Sequence, residues 1–116
     1  MSAIEDWDAY GEALKERGHE FAALVPEVVK GFSALSRGAS SAKHLDAKTR
    51  EMIALAVAVT TRCQGCIEVH ARKAMAAGAT KEEVAEALGV AIALNAGAAL
   101  TYSLHVLDAM DNKYGQ

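Results

Sequence analysis

Glu51, Cys63, Cys66 and His70 are the residues whose types and spacing can do chemistry together. Two thiols three positions apart can close a disulfide. An imidazole four positions after the second thiol lies on the same helical face. Glu51 stands twelve residues before Cys63, where a carboxylate from the preceding helix can complete a proton path. This is the spacing of thiol redox chemistry, and no other cluster in the chain competes with it.

The chemistry sets demands on its surroundings. A cysteine of ordinary pKa, about 8.5, is only a few per cent thiolate at neutral pH, and the thiolate is the nucleophile. Lowering that pKa by about 1.5 units makes it roughly half ionised and needs about 2 kcal/mol of selective stabilisation. The first turn of a helix supplies part of this through its exposed N–H groups. His70 supplies more, as proton acceptor or as a cation beside the thiolate. Glu51 can fix the imidazole tautomer or pass the proton onward. Helical positions i and i+3 hold two Cα atoms about 5 to 5.5 Å apart, within disulfide range. The expected cycle is thiolate attack on an oxidised substrate, sulfenate formation, condensation to a disulfide, and reset by an outside thiol. The residues alone leave the attacking cysteine open. The helix dipole favours Cys63 and the nearby base favours Cys66. The histidine weighs more for a peroxide, because a proton must also reach the leaving hydroxide.

The elements that must position these groups read as all helix. The chain has one proline and 25 alanines, and no segment alternates like a strand. A first helix is expected over Asp6–Arg17, ending near Gly18, and a second from Pro26 to about Leu35. Ser36–His44 reads as a loop. Asp46 caps a third helix over Ala47–Thr61, apolar nearly all round and therefore a core element. A fourth helix starts at the cysteine pair and runs to Ala77, with Gly78 as a left-handed stop. Thr80 and Glu83 form a capping box for a fifth helix to about Asn95, and Lys81-Glu82-Glu83 is read as a helix start only. Gly97 breaks the pattern before a sixth helix, Ala98 to about Met110, and a frayed tail over Asp111–Gln116. The expectation is one domain spanning 1–116, an all-α bundle of about six helices.

Composition narrows the function classes. With 116 residues, 52% apolar and 23% charged, the chain is globular, and its apolar content hints at surface buried between subunits. A net charge of −3 and no basic run longer than two residues give no footprint for nucleic acid or an anionic membrane. Met1–Tyr10 is acidic and reads as no signal peptide. The longest wholly apolar runs, Met52–Val59 and Val90–Leu94, are too short to span a bilayer. Two close cysteines suit cycling in a reducing cytoplasm better than a secreted scaffold.

Three stretches carry a family resemblance: Leu45-Asp46-Ala47-Lys48-Thr49-Arg50-Glu51, Cys63-Gln64-Gly65-Cys66-Ile67-Glu68-Val69-His70, and Ala77-Gly78-Ala79-Thr80-Lys81-Glu82-Glu83. Together they resemble the AhpD-like alkylhydroperoxidase core of the carboxymuconolactone decarboxylase superfamily, from about residue 45 to 107. The E-x11-C-x2-C-x3-H pattern is specific where a bare C-x2-C would be weak. The resemblance implies an all-helical domain assembling as homotrimer or homohexamer, with a redox-active cysteine pair and neither metal nor cofactor. It implies that Cys66 meets a hydroperoxide, that Cys63 resolves it, that Glu51 and His70 relay protons, and that a thiol or dithiol reductant resets the pair. One departure is Gly65, where the well-studied enzyme carries a second histidine. The superfamily's lactone decarboxylases lack the cysteine pair.

Other readings stand beside this one. The cysteines can be simple buried thiols. Zinc can be held by two thiolates and His70, with Glu51 as fourth ligand. Without the cysteines, Glu51 would be a solvated acid on an N-terminal turn. From other functional classes come a lyase acting on a carboxylated lactone and a non-enzymatic, redox-sensing oligomeric module. His19, His44 and His105 read as surface or interface residues, with His105 also a candidate to line a pocket. Trp7 and Tyr10 read as an anchoring patch for the first helix. The Ala/Gly-rich stretch Ala91–Leu100 and the first two helices are the candidate contact surfaces.

Overall fold

Most helices begin where the sequence supplies an acceptor for the first free amides. In the computed structural model, which describes residues 6–41 and 43–114, Asp6 accepts from the Ala9 amide at 3.0 Å and opens α1, Trp7–Leu24. Pro26 occupies the first turn of α2, Pro26–Ser40, and Val25 alone separates it from α1. Asp46 accepts from Thr49 at 2.8 Å and opens α3, Ala47–Thr61. Cys63 caps α4, Gln64–Ala76. Thr80 and Glu83 form a reciprocal capping box at the start of α5, Lys81–Ala109. A π-helical turn, Met110–Tyr114, follows.

Among the described residues the chain is all-α, as the sequence indicates, but with five α-helices rather than six. Gly97 does not break α5, because a glycine stop works by entering left-handed backbone and Gly97 does not. Inside a helix it costs only about 1 kcal/mol relative to alanine. For the same reason α1 passes through Gly18 to Leu24. Gly78, at φ +88°, does make the expected left-handed stop. Ser36–Ser40 is the last turn of α2 and not loop, with the Ser40 hydroxyl donating to the Ser36 carbonyl at 3.0 Å. The tail is likewise helical through Tyr114, and its last two residues lie outside the described ones.

The core is small and centred on α3, which packs on α4 and α5. Among the described residues its buried members are Leu55, Ala58, Ala74 and Ala91, and the three alanines let three helices come close. Asn95 Nδ2 donates to Thr60 Oγ1 at 2.8 Å and ties α5 to the end of α3. Helix α1 lies antiparallel on α4, with Gly11 opposite Glu68 and Leu14 opposite Gly65. Trp7, in edge contact with Tyr10, lines a cleft between α1 and α4 together with Ile67, Ala71 and Met75. Helix α2 packs chiefly on α1.

Much apolar surface has no cover within one chain. Phe32 and Leu35 of α2, and Leu94, Leu100, Leu104 and Leu107 of α5, are all exposed. Even α3, expected to be a core helix all round, leaves Ile53 and Val57 about half exposed. The radius of gyration is 18.9 Å, against about 13 Å for a compact chain of this length. Counted along the whole helix, Lys81–Asn112 is also long and apolar enough to cross a bilayer. The short uninterrupted runs in the sequence conceal this, because uncharged polar residues punctuate a helix that carries no charge from Ala87 to Leu107.

Candidate active site

The turn between α3 and α4 delivers the first cysteine. Arg62 adopts the left-handed conformation (φ 56°) that ends α3, and the Cys63 amide closes the turn onto the Ala58 carbonyl at 2.9 Å. Cys63 therefore stands at the N-cap of α4, where its Sγ accepts from the Cys66 amide at 3.2 Å. Cys63 and Cys66 are joined as a disulfide with Cα atoms 5.2 Å apart. Both sulfurs sit in the first turn of the helix, where the amide dipoles favour negative charge.

One turn further along α4, His70 meets α3. Its Nδ1 lies 2.6 Å from Glu51 Oε2, with the histidine side chain 30% exposed and the glutamate 17%. A neutral imidazole held this way carries its hydrogen on Nδ1, donated to the carboxylate, and presents Nε2 as the nitrogen that exchanges protons. The structure thus joins Glu51 to His70 directly and places the disulfide one helical turn away. Among the described residues no three His, Cys, Asp or Glu side chains converge to hold a metal ion.

His105 does not line this site within the chain. It lies exposed on the far half of α5, in edge contact with the Tyr102 ring at 4.9 Å.

Three further contacts were not read from the sequence. Glu68 projects to the opposite side of α4 from His70, its side chain only 11% exposed, with Oε1 3.5 Å from Arg72 Nε. A Cβ on Gly11 would stand 2.8 Å from the same oxygen, so a side chain there would have to displace the Glu68 carboxylate. Leu14 closes the flank of the cysteine turn, its Cδ1 3.1 Å from where a Cβ on Gly65 would lie. Lastly, Glu83 does more than start α5: its second oxygen pairs with Lys48 Nζ at 2.7 Å. The hydrogen bond from Lys48, then the one from the Thr80 amide, hold the Glu83 pKa below its ordinary value, while the bond to Glu83 raises that of Lys48. A two-residue offset from His70 is the one sequence signal that separates Glu68 from the other face. Nothing local announces a partner thirty-five residues away.

Comparison with known proteins agrees with this architecture. The model of the carboxymuconolactone decarboxylase family matches residues 26–109. An uncharacterised protein of Haemophilus influenzae is 52% identical over 104 residues, covering 90% of this chain and 92% of its own. Uncharacterised protein 4 in the cox locus of Paracoccus denitrificans is 43% identical over 83 residues, covering 69% of this chain and 75% of its own. The crystal structure of apo-lpg0406, a carboxymuconolactone decarboxylase family protein from Legionella pneumophila, superposes with a TM-score of 0.72 at 32% identity, covering 97% of this chain and 100% of that one.

Proposed function

The chain belongs to the carboxymuconolactone decarboxylase family, and we propose that it acts there as a thiol-dependent peroxidase. The observation that carries this reading is the 2.6 Å contact between Glu51 and His70 one turn from a closed Cys63–Cys66 disulfide.

In the reduced pair, the Cys66 thiolate attacks the terminal oxygen of a hydroperoxide. The O–O bond breaks, Cys66 becomes a sulfenic acid, and the alcohol leaves with a proton delivered through His70. Glu51 holds the imidazole and stabilises it when charged. The Cys63 thiol then condenses with the sulfenic acid, releasing water and forming the disulfide. A thiol or dithiol reductant returns two electrons and two protons by exchange. The helix start lowers the cost of the thiolate at both cysteines.

The uncovered faces of α2 and α5 are buried, in this reading, against further copies of the chain, as a homotrimer or homohexamer in the cytoplasm. The many small residues from Ala91 to Ala99 suit close helix approach between copies. The test is steady-state consumption of a hydroperoxide with a supplied dithiol, wild type beside Cys66→Ser. Unchanged turnover in the variant refutes the nucleophile. The family name favours a second reading, decarboxylation of a carboxylated lactone. Equal lactone turnover with both cysteines alkylated would establish that reading instead.

A further inference from the structure

We propose that Arg62 is a specificity-determining residue of the disulfide centre, selecting, together with Lys73, reductants whose thiol carries a neighbouring carboxylate. This rests on the thiol-exchange reading above and deepens it by naming the charge class of the reductant.

Among the described residues Arg62 is the one non-glycine with a positive φ, 56°. The stop after α4 is made by Gly78, at φ +88°, the residue type that enters left-handed backbone without a Cβ clash. At residue 62 the chain carries a long cation in that conformation instead, joined directly to Cys63 of the disulfide. The side chain is rooted about 3.8 Å from the Cys63 Cα. It is exposed, and among the described residues no carboxylate lies within ion-pair distance of it. An anion arriving at the sulfurs therefore finds a guanidinium able to pair with it.

Charge around the disulfide is lopsided. The whole chain has a net charge of −3, yet residues 62–73 hold Arg62, Arg72 and Lys73 against one carboxylate, Glu68. Glu68 turns towards α1 and lies 3.5 Å from Arg72, so that pair cancels on the far side of α4. Lys73 follows Cys66 by seven positions and His70 by three, which sets it on their face of the helix. Glu51, the carboxylate that meets this face, is engaged by His70 at 2.6 Å. Arg62 and Lys73 are left uncompensated, one at the start of α4 and one two turns below Cys66. An incoming thiolate is an anion, and a second negative charge on the same molecule gains from both cations.

For a monothiol the reduction balances in two steps. The first thiolate bonds to one sulfur, the S–S bond breaks, and the other cysteine leaves as thiolate. A second thiolate then attacks the sulfur of the bound monothiol, releasing that cysteine and forming the oxidised dimer of the reductant. A dithiol does both steps within one molecule.

The experiment measures how fast the disulfide of the full chain opens in 3-mercaptopropionate, 2-mercaptoethanol and cysteamine at one pH, by alkylation and mass spectrometry. Their thiolates are a dianion, a monoanion and a zwitterion, and variant-to-wild-type ratios cancel the intrinsic reactivity of each. Arg62→Gln should slow the dianion about threefold relative to the monoanion, and the monoanion by a similar factor relative to the zwitterion. Lys73→Gln should act in the same direction, more weakly, and high salt should shrink the wild-type discrimination. Arg62→Lys should keep it. Arg62→Gly retains the left-handed stop without the charge, so it should lose the discrimination with no fall in melting temperature. Equal variant ratios for all three thiols, or discrimination that survives Arg62→Gly, overturn this inference alone. A wild-type disulfide that none of the three opens removes the thiol-exchange reading with it.

Discussion

Lys48 Nζ lies 2.7 Å from Glu83 Oε2, joining the first turn of α3 to the first turn of α5. The same carboxylate closes the capping box through its other oxygen, so one side chain serves a helix start and a tertiary contact. Its folded pKa is depressed, so its contribution to stability is present above the ordinary carboxylate value, about 4.3, and is lost as pH falls through the lower folded value. Lys48 has a raised pKa, so its contribution is complete below about 10.4 and disappears as pH rises through the higher folded value. Asp46, lowered by its bonds from Thr49, adds to the acid side. Glu83→Gln should therefore flatten the acid limb of the melting temperature against pH, and Lys48→Met the alkaline limb. Unaltered limbs in thermal denaturation across pH 3 to 11 would reject the assignment.

The contact between His70 and Glu51 predicts a graded loss of activity. His70→Ala should slow peroxide consumption by roughly 10²- to 10⁴-fold, the usual worth of a general acid. Glu51→Gln should act in the same direction, chiefly on kcat, because the amide still touches the imidazole but no longer stabilises its charged form. Steady-state kinetics with excess dithiol decide it, and a loss confined to KM would contradict the proton role.

Cysteine roles separate in a single-turnover assay. Cys63→Ser should consume one equivalent of hydroperoxide and leave a sulfenic acid on Cys66 that dimedone captures. Cys66→Ser should consume none. The reverse pattern would transfer the attack to Cys63, the cysteine at the helix cap.

Assembly is testable at α5. Leu100→Glu or Leu104→Glu places a charge on an exposed apolar face that lies beyond the contacts with α3. Either variant should shift the particle to a smaller mass in light scattering. A wild-type protein already of single-chain mass would reject the self-associated form.

Local chemistry was the legible part of the sequence. Asp46, the Thr80–Glu83 box and Gly78 mark helix ends through their own side chains or backbone freedom, and the starts of α3 and α5 and the stop after α4 follow from them. Gly18 and Gly97 misled because a glycine ends a helix only when the surroundings gain from a left-handed turn. The closeness of Glu51 and His70 was anticipated from the family pattern and from a carboxylate placed on the helix before the imidazole. The positions of Glu68, Leu14 and Lys48 depend on the register between helices, and a single sequence carries that register only as an unlabelled match of small and large residues.

The uninterrupted course of α5 has a consequence for how the protein comes to exist at all. In the assembled form proposed above, a helix without a charged residue across some six turns would be ordered and buried against other copies in one event. Refolding after denaturation should then depend on how often chains meet. Dilution would lower the apparent melting point, and freshly synthesised copies would stay vulnerable until they find one another.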